Sequence, residues 1–176
     1  MMKRIILIGF MGAGKTTIGR QLAMALGLQF YDLDWYIEKR YHQKVSEIFE
    51  QQGEEHFRNL EQRMLHEVAE FEDVVVSCGG GTPCYADNMQ YMNQQAETVY
   101  LKLEPEVLCQ HLAMGRTVRP LILGKTGDEL LQYIRQELAK REPFYLQAKH
   151  VVDVSLMDNF EKIQITIDLL RKELNI

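Results

Sequence analysis

The sequence predicts an α/β fold: a three-layer sandwich in which a five-stranded parallel sheet lies between helices, with a small mobile lid. Three observations predict it. Short apolar runs alternate with longer amphipathic stretches, the pattern of a parallel sheet covered on both faces. The first run leads straight into a glycine-rich turn of the form Gly-x-x-x-x-Gly-Lys-Thr at residues 9–16. The last stretch is an amphipathic helix with one apolar face.

The elements follow in order. Ile5-Ile6-Leu7-Ile8 reads as a fully buried strand. In Gly9-Phe10-Met11-Gly12-Ala13-Gly14-Lys15-Thr16 the glycines let the backbone wrap a phosphate chain with its N–H groups turned inward. Lys15 adds a positive charge and Thr16 a hydroxyl suited to Mg²⁺, while the helix that begins here adds its positive dipole end. That helix carries Ile18, Leu22 and Leu26 four apart, and Gly27 ends it. Gln29-Phe30-Tyr31 leads into Asp32-Leu33-Asp34. If strand geometry persists there, both carboxylates face the ligand edge and Leu33 turns into the core. The alternative is a helix N-cap, where Asp is favoured.

Trp35 to Phe71 reads as two or three helices punctuated near Gly53. Within it, Arg58 and Glu61 share a helical face. They form either a surface ion pair or an Arg fork, held by Glu61, for an acceptor carboxylate. Val74-Val75-Val76-Ser77 is a second buried strand, stopped by Gly79-Gly80-Gly81, a triplet whose entropic cost suits close approach of backbone to ligand. Val99 to Leu103 is a further strand, and Val151 to Val154 a shorter one. Gly115-Arg116-Thr117-Val118-Arg119-Pro120-Leu121 is a basic segment near Gly124 and Gly127, either a lid that closes over phosphates or a solvated loop. Lys140-Arg141-Glu142-Pro143-Phe144-Tyr145 is a second basic cluster, read by itself as a solvated face with Pro143 near a helix junction. The closing helix carries Phe160, Ile163, Ile167, Leu170 and Leu174 on one stripe, with Asp158 and Glu161 as a capping pair.

In parallel sheets, ligands bind beyond the carboxyl ends of the strands. The Gly9 loop, Asp32 with Asp34, and the glycine triplet all fall at such ends. Their convergence outweighs any one motif. Gly124-Lys125-Thr126 imitates the end of a phosphate loop, but no buried strand precedes it.

Composition bounds the rest. The chain of 176 residues is long enough for one domain with a small lid, and its net charge of −5 without a long basic run does not favour nucleic acid. Cys78, Cys84 and Cys109 are odd in number and lack metal-binding spacing, as expected of reduced thiols. The five histidines show no metal spacing either and are expected in surface or packing roles. The four apolar residues after Met1-Met2-Lys3-Arg4 are too few for a signal-peptide core, and no run approaches membrane length, so a cytoplasmic location without membrane partners is expected.

Taken together these residues resemble the shikimate kinase family. The resemblance rests on Gly-Phe-Met-Gly-Ala-Gly-Lys-Thr-Thr at 9–17, Asp32-x-Asp34, Phe57-Arg58-x-x-Glu61, Gly79-Gly80-Gly81, Val118-Arg119-Pro120-Leu121 and Arg141-x-Pro143-x-Tyr145, in that order. It implies transfer of the γ-phosphoryl group of ATP to the 3-hydroxyl of shikimate by a monomer needing Mg²⁺. It implies ATP contacts from Gly12, Ala13, Gly14, Lys15, Thr16, Thr17 and Arg119, with Lys15, Asp34 and Arg119 as catalytic groups. Thr16 would bind Mg²⁺ directly and Asp32 through water. Asp34, Arg58, Gly80 and Arg141 would hold shikimate. The substrate-binding helical region would span about 33–61 and the lid about 112–124 of one domain over 1–176. Where some relatives stack an arginine on adenine, this chain reads His111-Leu112-Ala113-Met114. That leaves the adenine contact to Arg116, to packing, or to the loop from Ser155 to Asn159. The rivals are a gluconate-type small-molecule kinase, a regulatory GTPase, whose Asn-Lys-x-Asp motif is missing, and a silent nucleotide-binding module.

Overall fold

The computed structural model describes residues 3–115 and 119–176. Five strands form one sheet: β1 (Arg4–Ile8), β2 (Gln29–Asp32), β3 (Val74–Ser77), β4 (Glu97–Lys102) and β5 (His150–Asp153). Their order is β2-β3-β1-β4-β5, and every neighbouring pair is parallel. All of β3 and residues 5–8 of β1 are buried, as strands covered on both faces must be. Each Ile, Leu or Val so buried contributes about 1.5–3 kcal/mol of transfer free energy.

Seven helices are described: α1 (Lys15–Leu26), α2 (Leu33–Tyr41), α3 (Val45–Ala69), α4 (Asn88–Gln95), α5 (Pro105–Met114), α6 (Gly127–Tyr145) and α7 (Phe160–Glu173). Helix α1 ends as expected. Gly27 takes the left-handed conformation, its N–H bonds to Met24 O, and that of Leu28 bonds to Ala23 O.

The register aligns the strand ends that matter. Asp32 lies opposite Ser77, Ser77 opposite Leu7, and Ile8 opposite Tyr100. The chain runs from β1 outward to β2 and later crosses to β4 on the other side. The strand order therefore reverses around β1, whose carboxyl end carries the glycine-rich loop.

Several expectations need correction. Strand geometry does not persist through Asp34: β2 ends at Asp32 and α2 begins at Leu33, because Asp32 caps the helix with its own carboxylate. In α7, Phe160 is 68% exposed, and the buried stripe is carried by Ile167 and Leu170. Its cap is Asn159, which accepts from Lys162 N, whereas Asp158 pairs with the Lys162 ammonium. Pro143 sits inside α6, in its last turn, near the helix end as expected. Arg116, Thr117 and Val118 of the anticipated lid lie outside the described residues. The segment that follows contains a 3₁₀ turn over Pro120–Ile122, with Leu121 and Leu123 exposed.

Candidate active site

The loop after β1 turns through Gly12 (φ 81°) and Gly14 (φ 84°), left-handed conformations that a side chain would strain. Gly14 caps α1, so the helix N-terminus opens directly onto the loop. Lys15, the first helical residue, donates through Nζ to Gly9 O (2.8 Å) and Phe10 O (2.9 Å). Ala13 is fully buried beneath the loop, and Thr17 is exposed on α1.

Thr16 Oγ1 donates to Asp32 Oδ2 at 2.7 Å, while Asp32 Oδ1 accepts from the N–H groups of Asp34 (3.1 Å) and Trp35 (3.3 Å). One carboxylate thus caps α2 and touches the phosphate-loop threonine. The capping alternative and the ligand-edge placement are both realised for Asp32. Asp34 follows in the first turn of α2, half-buried, with Oδ1 close to Gly79. Burial pushes its carboxyl up to about 7, helped by the charges of Asp32 and Glu61 and opposed by Lys15. Burial also lowers Lys15 to about 8, against the attraction of Asp34. Asp34 and Lys15 therefore face each other in one poorly solvated space.

A second group of side chains is positioned by α3. Gly53 (φ 84°, ψ 169°) kinks this helix, and the segment beyond buries Phe57, Leu60 and Glu61. Glu61 is only 1% exposed. Its Oε2 accepts from Arg58 Nη1 (2.8 Å) and its Oε1 from Thr82 Oγ1 (2.6 Å). Asn88 Nδ2 in turn donates to Thr82 O (2.8 Å). The pair is no surface ion pair: the carboxylate is buried, fully hydrogen-bonded, and fixes one edge of the guanidinium.

Arg141, on α6, lies over the Phe10 ring at 5.5 Å from its centroid, with Nη2 3.5 Å from Glu137 Oε2. It is half-buried, which corrects the reading of this cluster as a solvated face. Of its two cations only Lys140 is exposed, paired with Glu137. Arg58 and Arg141 line one cavity of about 430 Å³ with Gly81, Cys84 and Tyr85.

The glycine triplet lies where these groups meet. A β-carbon on Gly81 would stand 2.7 Å from Arg58 Cζ. One on Gly80 would meet Arg141 Nη1 at 3.3 Å and Met11 N at 3.5 Å, and one on Gly79 would meet Glu61 Oε1 at 3.3 Å and Asp34 Oδ1 at 3.5 Å. Small size here admits the two guanidinium groups and brings the cavity they line against the phosphate loop. Tyr145, buried at the end of α6, donates to Gly80 O at 2.6 Å and holds the triplet in place.

Arg119 is half-buried. Its guanidinium is close enough to Lys15 to disfavour the lysine's charge. Sequence reasoning missed Thr82, Asn88 and His111. The last two are the subtler omissions: an Asn in a helix and a His outside any metal spacing carry no local signal. His111 Nδ1 lies 2.7 Å from Gly12 O, and Met157 N lies 2.9 Å from Nε2.

The donor set fits Mg²⁺ of the kind that keeps most of its water. Among the described residues no cluster of three or more His, Cys, Asp or Glu could hold a metal. One hydroxyl and one carboxylate, in mutual contact beside a phosphate loop, match a cation bound chiefly by phosphates and water.

Comparison with known proteins agrees over the whole chain. A family model described as shikimate kinase matches residues 11–170. The shikimate kinase of Phocaeicola vulgatus is 52% identical over 174 residues, covering 99% of each chain. A solved shikimate kinase from Bacteroides thetaiotaomicron superposes with a TM-score of 0.95 at 47% identity, covering all of both chains. A shikimate kinase from Acinetobacter baumannii, solved in complex with shikimate, gives 0.83 at 32% identity, over 98% of this chain and 93% of that one. With its phosphate loop, buried Arg58–Glu61 pair and glycine triplet on one sheet edge, this chain belongs to the shikimate kinase family.

Proposed function

We propose that this protein phosphorylates the 3-hydroxyl of shikimate with ATP, and that the residues above divide the work as follows. The loop at Gly12, Ala13 and Gly14, the α1 N-terminus, Lys15, Thr16 and Thr17 bind the phosphates of ATP. Arg58 and Arg141 hold the carboxylate of shikimate from two sides of the cavity, and Gly80 supplies a backbone contact. Asp34 binds the acceptor hydroxyl and takes its proton, a task that suits a carboxyl raised toward neutrality. Mg²⁺, held by Thr16 and through water by Asp32, would supply charge neutralisation on the β- and γ-phosphates. Phosphoryl transfer asks the protein for position and charge compensation more than covalent chemistry. Lys15 and Arg119 provide that compensation, and the lid excludes water.

The observation that carries this reading is the glycine triplet. It backs the phosphate loop at Met11 N and touches Asp34, Arg58 and Arg141, so an acid held by the two arginines lies beside the loop. A coupled ADP-release assay across a panel of hydroxy acids tests it. Shikimate should be the preferred acceptor. Preference for gluconate would move the protein to another acceptor class, and no turnover with any acceptor would make it a silent binding module. We also propose a monomer in a reducing, cytoplasmic compartment, supported by three free cysteines. Size-exclusion chromatography with light scattering tests the first.

A further inference from the structure

His111 sits in the last turn of α5 and uses both ring nitrogens on opposite partners. Gly12 O can only accept, so Nδ1 at 2.7 Å must carry a proton. Met157 N–H can only donate, so Nε2 at 2.9 Å must be bare. The two partners together select the neutral Nδ1–H tautomer.

The contact falls on one peptide of the phosphate loop. In the trans peptide between Gly12 and Ala13, the carbonyl and the N–H point in opposite directions. The carbonyl is taken by His111 and the Ala13 N–H by Phe10 O at 3.1 Å. Gly12 has φ 81° and no side chain of its own, so these two bonds are what hold that plane. A flipped peptide would lose both bonds and set the Gly12 carbonyl against Phe10 O, deforming the loop. The other end of the ring is anchored by Met157, whose Sδ and Cε lie over Gly14: a β-carbon there would stand 2.6 Å from Cε. Leu112, next to His111, packs on Gly12 in the same way, with Cγ 2.9 Å from such an atom.

We propose that His111 is a positioning residue for the nucleotide. Its neutral ring holds the Gly12 carbonyl, adds to the Ala13–Phe10 bond in fixing the shape of the phosphate loop, and ties that loop to the segment carrying Met157. It does not touch reacting atoms; it acts through the loop. The inference rests on the reading of this loop as the ATP site.

The test is a set of substitutions read by steady-state kinetics and by ADP titration. His111→Ala should raise KM for ATP and weaken ADP binding about tenfold, leaving KM for shikimate within twofold. His111→Asn returns an N–H near the Nδ1 position and should recover most of the loss. His111→Gln can reach Met157 but not restore the Gly12 bond, and should recover less. Unchanged ATP and ADP affinity in His111→Ala, or equal losses for both substrates, would overturn the proposal. If the Ala variant does not fold, equal nucleotide affinity in the Asn and Gln variants would overturn it instead. Failure of the wild-type protein to bind ADP would refute the nucleotide reading itself, an outcome separate from indifference to His111.

Discussion

Asp34 and Lys15 set the chemistry at the scale of single residues. Both charges are poorly solvated, so each group is pulled toward its neutral form, the acid to about 7 and the amine to about 8. The reaction needs Asp34 ionised to accept a proton and Lys15 charged to face phosphates. kcat/KM should therefore fall below pH about 7 as Asp34 takes up a proton, and above about 8 as Lys15 loses one, giving a narrow bell in a pH–rate profile. Asp34→Asn should lower kcat by roughly 10²–10⁴-fold, abolish the acid limb and leave ADP affinity intact in titration. Lys15→Ala should cost at least about 10²-fold in kcat with unchanged circular dichroism. Arg58→Lys should chiefly raise KM for shikimate, because an ammonium cannot keep the bond to Glu61 and present a planar fork to a carboxylate together. Unchanged KM would leave Arg58 with a structural role only.

Between residues and molecule stands the element, and here the 79–81 turn with the 3₁₀ turn after it is decisive. Thr82 at the start of that turn supplies the hydroxyl that satisfies Glu61, and Glu61 holds Arg58. Gly81 leaves the guanidinium its space. Gly81→Ala should displace Arg58 and raise KM for shikimate as Arg58→Lys does, while KM for ATP stays put. A parallel rise in both constants would point to disruption of the phosphate loop instead. The kink at Gly53 and the capping of α2 by Asp32 serve the same geometry. The first re-aims the segment carrying Arg58, and the second puts Asp34 in the first turn of α2, beside Gly79. Arg141 arrives from α6, far away in sequence, and Tyr145, a turn later, pins the triplet from behind.

Across the whole molecule, the cleft stores electrostatic strain that the sheet and its helices hold. A carboxyl whose folded pKa is raised from 3.8 to about 7 binds more protons in the native than in the unfolded state between those values. Stability therefore falls as pH rises through that window, and the loss is complete above about 7. Asp34→Asn removes the ionisation and should melt at a higher temperature than wild type at pH 8. The gap should close toward pH 4, as scanning calorimetry would read. A variant no more stable than wild type at pH 8 would mean that Lys15 offsets the burial of Asp34 fully. Function at the expense of local stability is common where charges must be held out of water.

Periodicity and motif spacing settled the local facts: alternating strands and helices, the phosphate loop, the end of α1 at Gly27, and the break near Gly53. Each depends on residues close in the chain, where backbone preference and apolar pattern act directly. The chain also contained every residue of the candidate site, but not the meaning of several. Whether Arg58–Glu61 was a solvated pair, whether Asp32 capped a helix, and whether Arg141 faced water were open, because burial is set by segments far apart in sequence. Folding answered them by bringing Thr82 to Glu61, Thr16 to Asp32, and Phe10 beneath Arg141. His111 was silent in the sequence for the same reason: its partners, Gly12 and Met157, lie 99 and 46 residues away, and only the packed sheet brings them within reach of one ring.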